Sequence, residues 1–249
     1  MRQIVLAGHS HTLALGVPAH DKDTIELVPI LQHHDRAEFL GLVGPAVRPL
    51  QYYEVLAKVA GGKTVAFCYH GNQHYADFIF EREPFDFIPA SRPDLPLRGY
   101  PLVPESLIRA HFAAGMGLLE ELMRQLTVVP DSHIVVLGTP PARRENESAL
   151  YTIRGNLNFT KWVNSVGYTI DDLQILDDFV SLKLWFVIQD MMREIAEQNG
   201  AQFIEVPPQT QDEYGALLRE YWQPCDWTHA NIQYGRVFLD HIVDRLGHE

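Results

Sequence analysis

Five short apolar runs recur along this chain, and stretches of a different periodicity separate them. Residues 4–7, 24–30, 64–68, 133–137 and 202–206 are continuous and rich in β-branched side chains. That is the pattern of strands buried on both faces. Between them, residues 50–59, 106–126 and 181–198 carry apolar side chains three and four apart, the spacing of helices with one buried stripe. In the second of these, Leu107, Phe112, Leu118, Leu119, Leu122 and Leu126 are expected on one face. Asn199-Gly200 ends the third. A last helix over 232–246 would turn Phe238, Leu239, Ile242, Val243 and Leu246 inward.

Strands alternating with helices predict the α/β class. The expected form is a three-layer sandwich around a mostly parallel, flavodoxin-like sheet of five strands. Residues 76–105 hold six prolines, and residues 141–180 lack clean periodicity. Both read as long loop insertions within a single domain spanning 1–249.

The bulk properties exclude several functions. A net charge of −12 leaves no basic surface for a phosphate backbone, so no nucleic-acid partner is expected. No apolar stretch reaches membrane-helix length, and the start is too short for a signal-peptide core. With Cys68 and Cys225 too few for a disulfide framework, a cytoplasmic location is the expectation. Neither Gly-x-x-x-x-Gly-Lys nor Gly-x-Gly-x-x-Gly occurs, so no nucleotide cofactor is expected.

In open α/β sheets, ligands gather outside the carboxyl ends of the strands. Gly8-His9-Ser10-His11 directly follows the first run, Gly71-Asn72 follows the third, and Asp226-Trp227-Thr228-His229 precedes the last helix. A serine hydroxyl becomes nucleophilic when an imidazole takes its proton, and a carboxylate on the other ring nitrogen holds that imidazole in the right tautomer. Ser10, His229 and Asp226 can fill those roles, and a carboxamide such as Asn72 suits a developing oxyanion. Taken singly, each has a plainer reading. Ser10 could cap a helix, Asp226 and His229 could be an N-cap and a loop histidine, and Gly71-Asn72 is an ordinary turn.

In this order the motifs resemble the SGNH hydrolases, the GDSL-type esterases and lipases. The resemblance spans the core and lapses in the long loops. It implies a serine esterase acting through an acyl-enzyme, with Ser10 as nucleophile, His229 as base and Asp226 as its orienting acid. The implied oxyanion donors are the N–H groups of Ser10 and Gly44 and the carboxamide of Asn72, with Gly41 as the other candidate glycine. Residues 134–141 resemble that family's fourth strand and its proline exit. His9 stands where the family has an acid that helps hold the turn, and Gln73-His74 follow where the third block continues to an acid.

The implied substrate is a small-molecule or glycan ester with a short acyl group, such as an O-acetyl. No cofactor and no metal are expected, and the oligomeric state is open. His9, His11 and His74 are expected to shape the substrate pocket, with a histidine metal site as a rival reading. Acyl transfer by the same triad, or a decayed binding module, are further alternatives. Tyr151, Trp162, Tyr168, Trp185, Trp222 and Trp227 could stack on sugars or fill the core, and Arg143-Arg144 could grip an anionic substrate group or face solvent, the latter favoured.

Overall fold

The structure is a computed structural model that describes residues 2–19, 23–45 and 49–247, the side chains of 146–149 and 158 excepted. Its sheet has six strands: β1 (Arg2–Gly8), β2 (Glu26–Pro29), β3 (Ala37–Val43), β4 (Thr64–Cys68), β5 (His133–Leu137) and β6 (Gln202–Ile204). Their order is β2-β3-β1-β4-β5-β6. All neighbours run parallel except β2, which pairs antiparallel with β3 at the edge.

The helices are α1 (Leu50–Ala60), α2 (Gln73–Ala76), α3 (Glu105–Leu126), α4 (Asn146–Arg154), α5 (Leu157–Ser165), α6 (Asp178–Gln198) and α7 (Ile232–Leu246). Alternate strand residues feed two separate cores, as the two-residue repeat of a pleated sheet demands. Val5, Ala7, Val65, Phe67, Ile134 and Val136 meet α1, α3 and much of α6. Ile4, Leu6, Ala66, Val135 and Leu137 meet α7. Helices on both faces of a mostly parallel sheet make the expected three layers.

Three features differ from expectation. The sheet has six strands rather than five, because β3 is an additional strand and the run near residue 27 forms the antiparallel edge. Gly41 in the middle of β3 reads as a breaker, yet here it admits close packing: a Cβ there would lie 2.8 Å from a Val17 methyl. On α3 the buried stripe is Ile108, Phe112, Met116, Leu119, Leu122, Met123 and Leu126. Leu107 and Leu118 are exposed. Finally, residues 141–180 are partly helical. Here α4, α5 and a 3-10 turn at Ile170–Asp172 gather around a small apolar cluster of Ile79, Ile153, Val163 and Leu173.

The proline-rich segment is irregular but firmly tied. Its Asp86 carboxylate is fully buried and takes hydrogen bonds from the Lys183 ammonium of α6 (2.6 Å), the Phe87 N–H (2.8 Å) and the Arg98 N–H (2.7 Å). A buried charge with three donors is satisfied, and that fixes the segment against α6.

Candidate active site

The parallel register levels the strand ends. Gly8 of β1 lies opposite Cys68 of β4, and Cys68 opposite Leu137 of β5. The segments that leave these strands therefore start from one rim. Gly8 makes the exit from β1 possible: its φ is +129°, and a Cβ there would lie 2.0 Å from the Cys68 carbonyl oxygen. Gly71, with φ of +125°, does the same beyond β4, where a Cβ would press on Thr139 at 2.6 Å.

After Gly8 the chain enters a 3-10 turn over Ser10–Leu13. His9 occupies the position of the expected acid, and the turn is held regardless. His9 N–H donates to the Cys68 carbonyl (3.0 Å), and Thr12 returns both its N–H (3.0 Å) and its hydroxyl (2.8 Å) to the His9 carbonyl. Tyr52 braces the strand end from α1, its hydroxyl accepting from Gly8 N–H at 2.9 Å and donating to the Leu42 carbonyl at 3.0 Å.

Ser10 is exposed, and its hydroxyl does not cap the turn. It lies 2.7 Å from Nε2 of His229, across 219 residues of sequence. The His229 Nδ1 lies 2.8 Å from Oδ2 of Asp226. Asp226 also organises its own loop, with Oδ1 accepting the N–H groups of Thr228 (2.8 Å) and His229 (2.9 Å). This Asx-type turn sets the acid and base in register. The N-cap of α7 is a different residue, Asn231, whose side chain accepts from Gln233 and Tyr234. Partial burial disfavours the Asp226 charge. The hydrogen bond and charge of His229 and the two backbone donors outweigh it, holding this carboxyl well below the usual range.

Asn72 stands at the same rim, and His11 orients it. The His11 Nε2 lies 2.8 Å from the Asn72 carboxamide oxygen. Since that oxygen only accepts, the His11 proton sits on Nε2, and the amide nitrogen of Asn72 is turned away from the imidazole. Burial, and then the neighbouring His229 ring 4.9 Å away, lower the His11 pKa to about 3, so it is neutral. Of the two glycines, Gly44 stands just past β3, whereas Gly41 pairs with Leu6 inside the sheet.

Of the three histidines expected to shape the substrate pocket, two are buried. His11 and His74 are only 3% and 2% exposed and cannot line an open cleft. Burial lowers His74 to about 3 as well. His9 is half-buried and stacks on His70 at 4.2 Å, with its Nδ1 accepting from the His70 N–H. Among the described residues, no group of three or more His, Cys, Asp or Glu is placed to hold a metal ion.

Arg143 is also corrected: it is 7% exposed, and its guanidinium donates to the carbonyl oxygens of Asp226 and His229. Arg144 instead pairs with Asp212 at 2.8 Å. Neither role has a local sequence signal, because both partners lie about seventy residues or more away.

A cleft of about 610 Å³, lined by Tyr151, Thr152, Gly155, Asn156, Leu157 and Cys225, adjoins the loop that carries Asp226. A cavity of about 450 Å³ around Trp185, Phe186, Gln189 and Asp190 includes none of the residues just described. No helix among the described residues is long and apolar enough to cross a membrane.

The architecture is a mixed α/β fold that solved structures share. Phospholipase A1 from Streptomyces albidoflavus NA297 shares it at a TM-score of 0.52 and 10% identity, over 98% of each chain. An extracellular lipase from Streptomyces rimosus aligns over 97% of this chain and all of its own, at 14% identity and a TM-score of 0.44. No protein-family profile and no curated protein sequence matches the chain.

Proposed function

We propose that this protein is a serine esterase that cleaves a carboxylic ester through an acyl-enzyme. The carrying observation is the continuous relay from Ser10 Oγ through His229 to Asp226, at 2.7 and 2.8 Å. Attack by Ser10 Oγ on the ester carbonyl carbon passes the hydroxyl proton to His229 Nε2, and Asp226 stabilises the imidazolium. The tetrahedral oxyanion takes hydrogen bonds from the Ser10 and Gly44 N–H groups and the Asn72 amide. Collapse breaks the bond to the alkoxy group, which leaves as the alcohol with the His229 proton. Water then gives a proton to His229, attacks the acyl carbon and frees the acid and Ser10.

The fold is consistent with this, since the phospholipase A1 that shares it is an ester hydrolase. The substrate class is a small-molecule or glycan ester with a short acyl group. An aromatic series supports the glycan form. It runs from Trp227, next to Asp226, through Phe159 and the exposed Trp162 to Phe80 and the exposed Tyr168.

The test is hydrolysis of p-nitrophenyl acetate and of an acetylated oligosaccharide by the native protein, Ser10→Ala and His229→Ala. Turnover that disappears in both variants supports the reading. Equal turnover in all three proteins, or none in any, rules it out.

A further inference from the structure

We infer that Arg143 is a positioning residue that clamps the loop bearing the acid and base, an inference resting on the esterase reading above. Its guanidinium is planar and donates at fixed angles. One terminal nitrogen donates to the carbonyl of Asp226 and the other to the carbonyl of His229. A single rigid group thus holds both ends of the four-residue stretch whose side chains form the relay.

The clamp is itself anchored. Arg143 lies over the Trp222 ring at 5.1 Å, and Trp222 bridges to Ala230, the residue after His229. Its backbone is tied to α2: Arg143 N–H donates to the Tyr75 hydroxyl at 2.8 Å, and that hydroxyl donates back to the Arg143 carbonyl. Tyr75 N–H in turn bonds the Asn72 carbonyl at 3.0 Å. Arg143 therefore joins the segment presenting Asn72 to the one presenting Asp226 and His229. Burying a guanidinium is unfavourable, and burial does lower its pKa. The nearby Asp226 carboxylate offsets part of that cost, while both hydrogen bonds of the guanidinium go to backbone carbonyls, which sets the geometry of that loop.

The experiment compares the native protein with Arg143→Ala and Arg143→Lys. It measures p-nitrophenyl acetate kinetics, thermal midpoint and the downfield Nδ1–H proton resonance of His229. A misplacement of about an ångström at a catalytic pair costs about 10²-fold in turnover. The alanine variant should therefore lose about that in kcat, with KM within about twofold, and lose the resonance. Millimolar guanidinium should recover both. Lysine reaches one carbonyl and should lose only about tenfold. If the alanine variant does not fold, the lysine variant carries the comparison.

Unchanged kcat and resonance in a folded variant would overturn the clamp. So would losses that follow the thermal midpoint alone with no guanidinium recovery. If the native protein hydrolyses nothing, the esterase reading fails, and the His229 resonance still decides the clamp.

Discussion

Asp226→Asn separates chemistry from folding at this site. In the native loop Oδ1 accepts two backbone N–H groups, at 2.8 and 2.9 Å, while Oδ2 accepts the Nδ1–H of His229 at 2.8 Å. Asparagine keeps a carbonyl oxygen for the two backbone donors and presents an NH₂ to the imidazole. His229 Nδ1 must then accept, so the ring proton moves to Nε2, which donates to Ser10 instead of taking its proton. An acid-to-amide exchange of this kind lowers turnover by about 10⁴-fold, about 5 kcal/mol of transition-state stabilisation. The turn survives, but the neutral amide loses the charge that His229 and the backbone donors favour, so stability should fall by about 1–2 kcal/mol. Asp226→Ala removes all four acceptor contacts, the Thr228 hydroxyl at 3.3 Å included, and should lose about 3 kcal/mol of stability in addition to activity. Initial rates on p-nitrophenyl acetate and denaturant unfolding of the same preparations provide both numbers. A stable asparagine variant with turnover within tenfold of native would refute the assignment of Asp226 as the orienting acid.

Asn72→Ala should reduce kcat by about 10²–10³-fold with little change in KM, measured on the same substrate, because one oxyanion donor is lost. Acid should destabilise the fold. His11 and His74 have folded values near 3 against an ordinary 6.5, so the unfolded chain binds more protons below 6.5. Their contribution is complete above pH 6.5 and is lost as pH falls from there toward 3. Two such groups at about 1.4 kcal/mol per pH unit give a loss of roughly 4 kcal/mol at most between pH 6.5 and 5. Denaturant unfolding at pH 7 and pH 5 checks this, and equal stability at both would contradict it. Lys183→Met strands the buried Asp86 carboxylate and should cost about 3–5 kcal/mol in the same assay. Adding Asp86→Asn should restore part of that loss.

The core was readable because each central strand is a short, uninterrupted apolar run. β4 and β5 coincide with their runs, since both faces of these strands are buried. β3 was hidden by its own chemistry, with exposed Glu38 and a mid-strand glycine breaking the run. The short helices α4 and α5 pack on a local cluster rather than the sheet, so they lack the long stripe that marks α3. Ser10, Asn72, Asp226 and His229 were legible because each sits at a strand end or beside a helix start. The burial of His11 and His74 was not legible, because residue type alone does not distinguish a buried orienting imidazole, as in His11, from one facing substrate. Arg143 follows a proline exit with nothing local to mark it, and only the folded chain brings it to Asp226 and His229.

A Ser10 hydroxyl activated by His229 should react with an electrophile that leaves ordinary serines untouched. Intact mass and peptide mapping after treatment with a fluorophosphonate measure this directly. One adduct is expected, on the peptide containing Ser10, absent from Ser10→Ala and strongly slowed in His229→Ala. A folded native protein that takes up no label, or one labelled at another residue with Ser10→Ala still reactive, would contradict it.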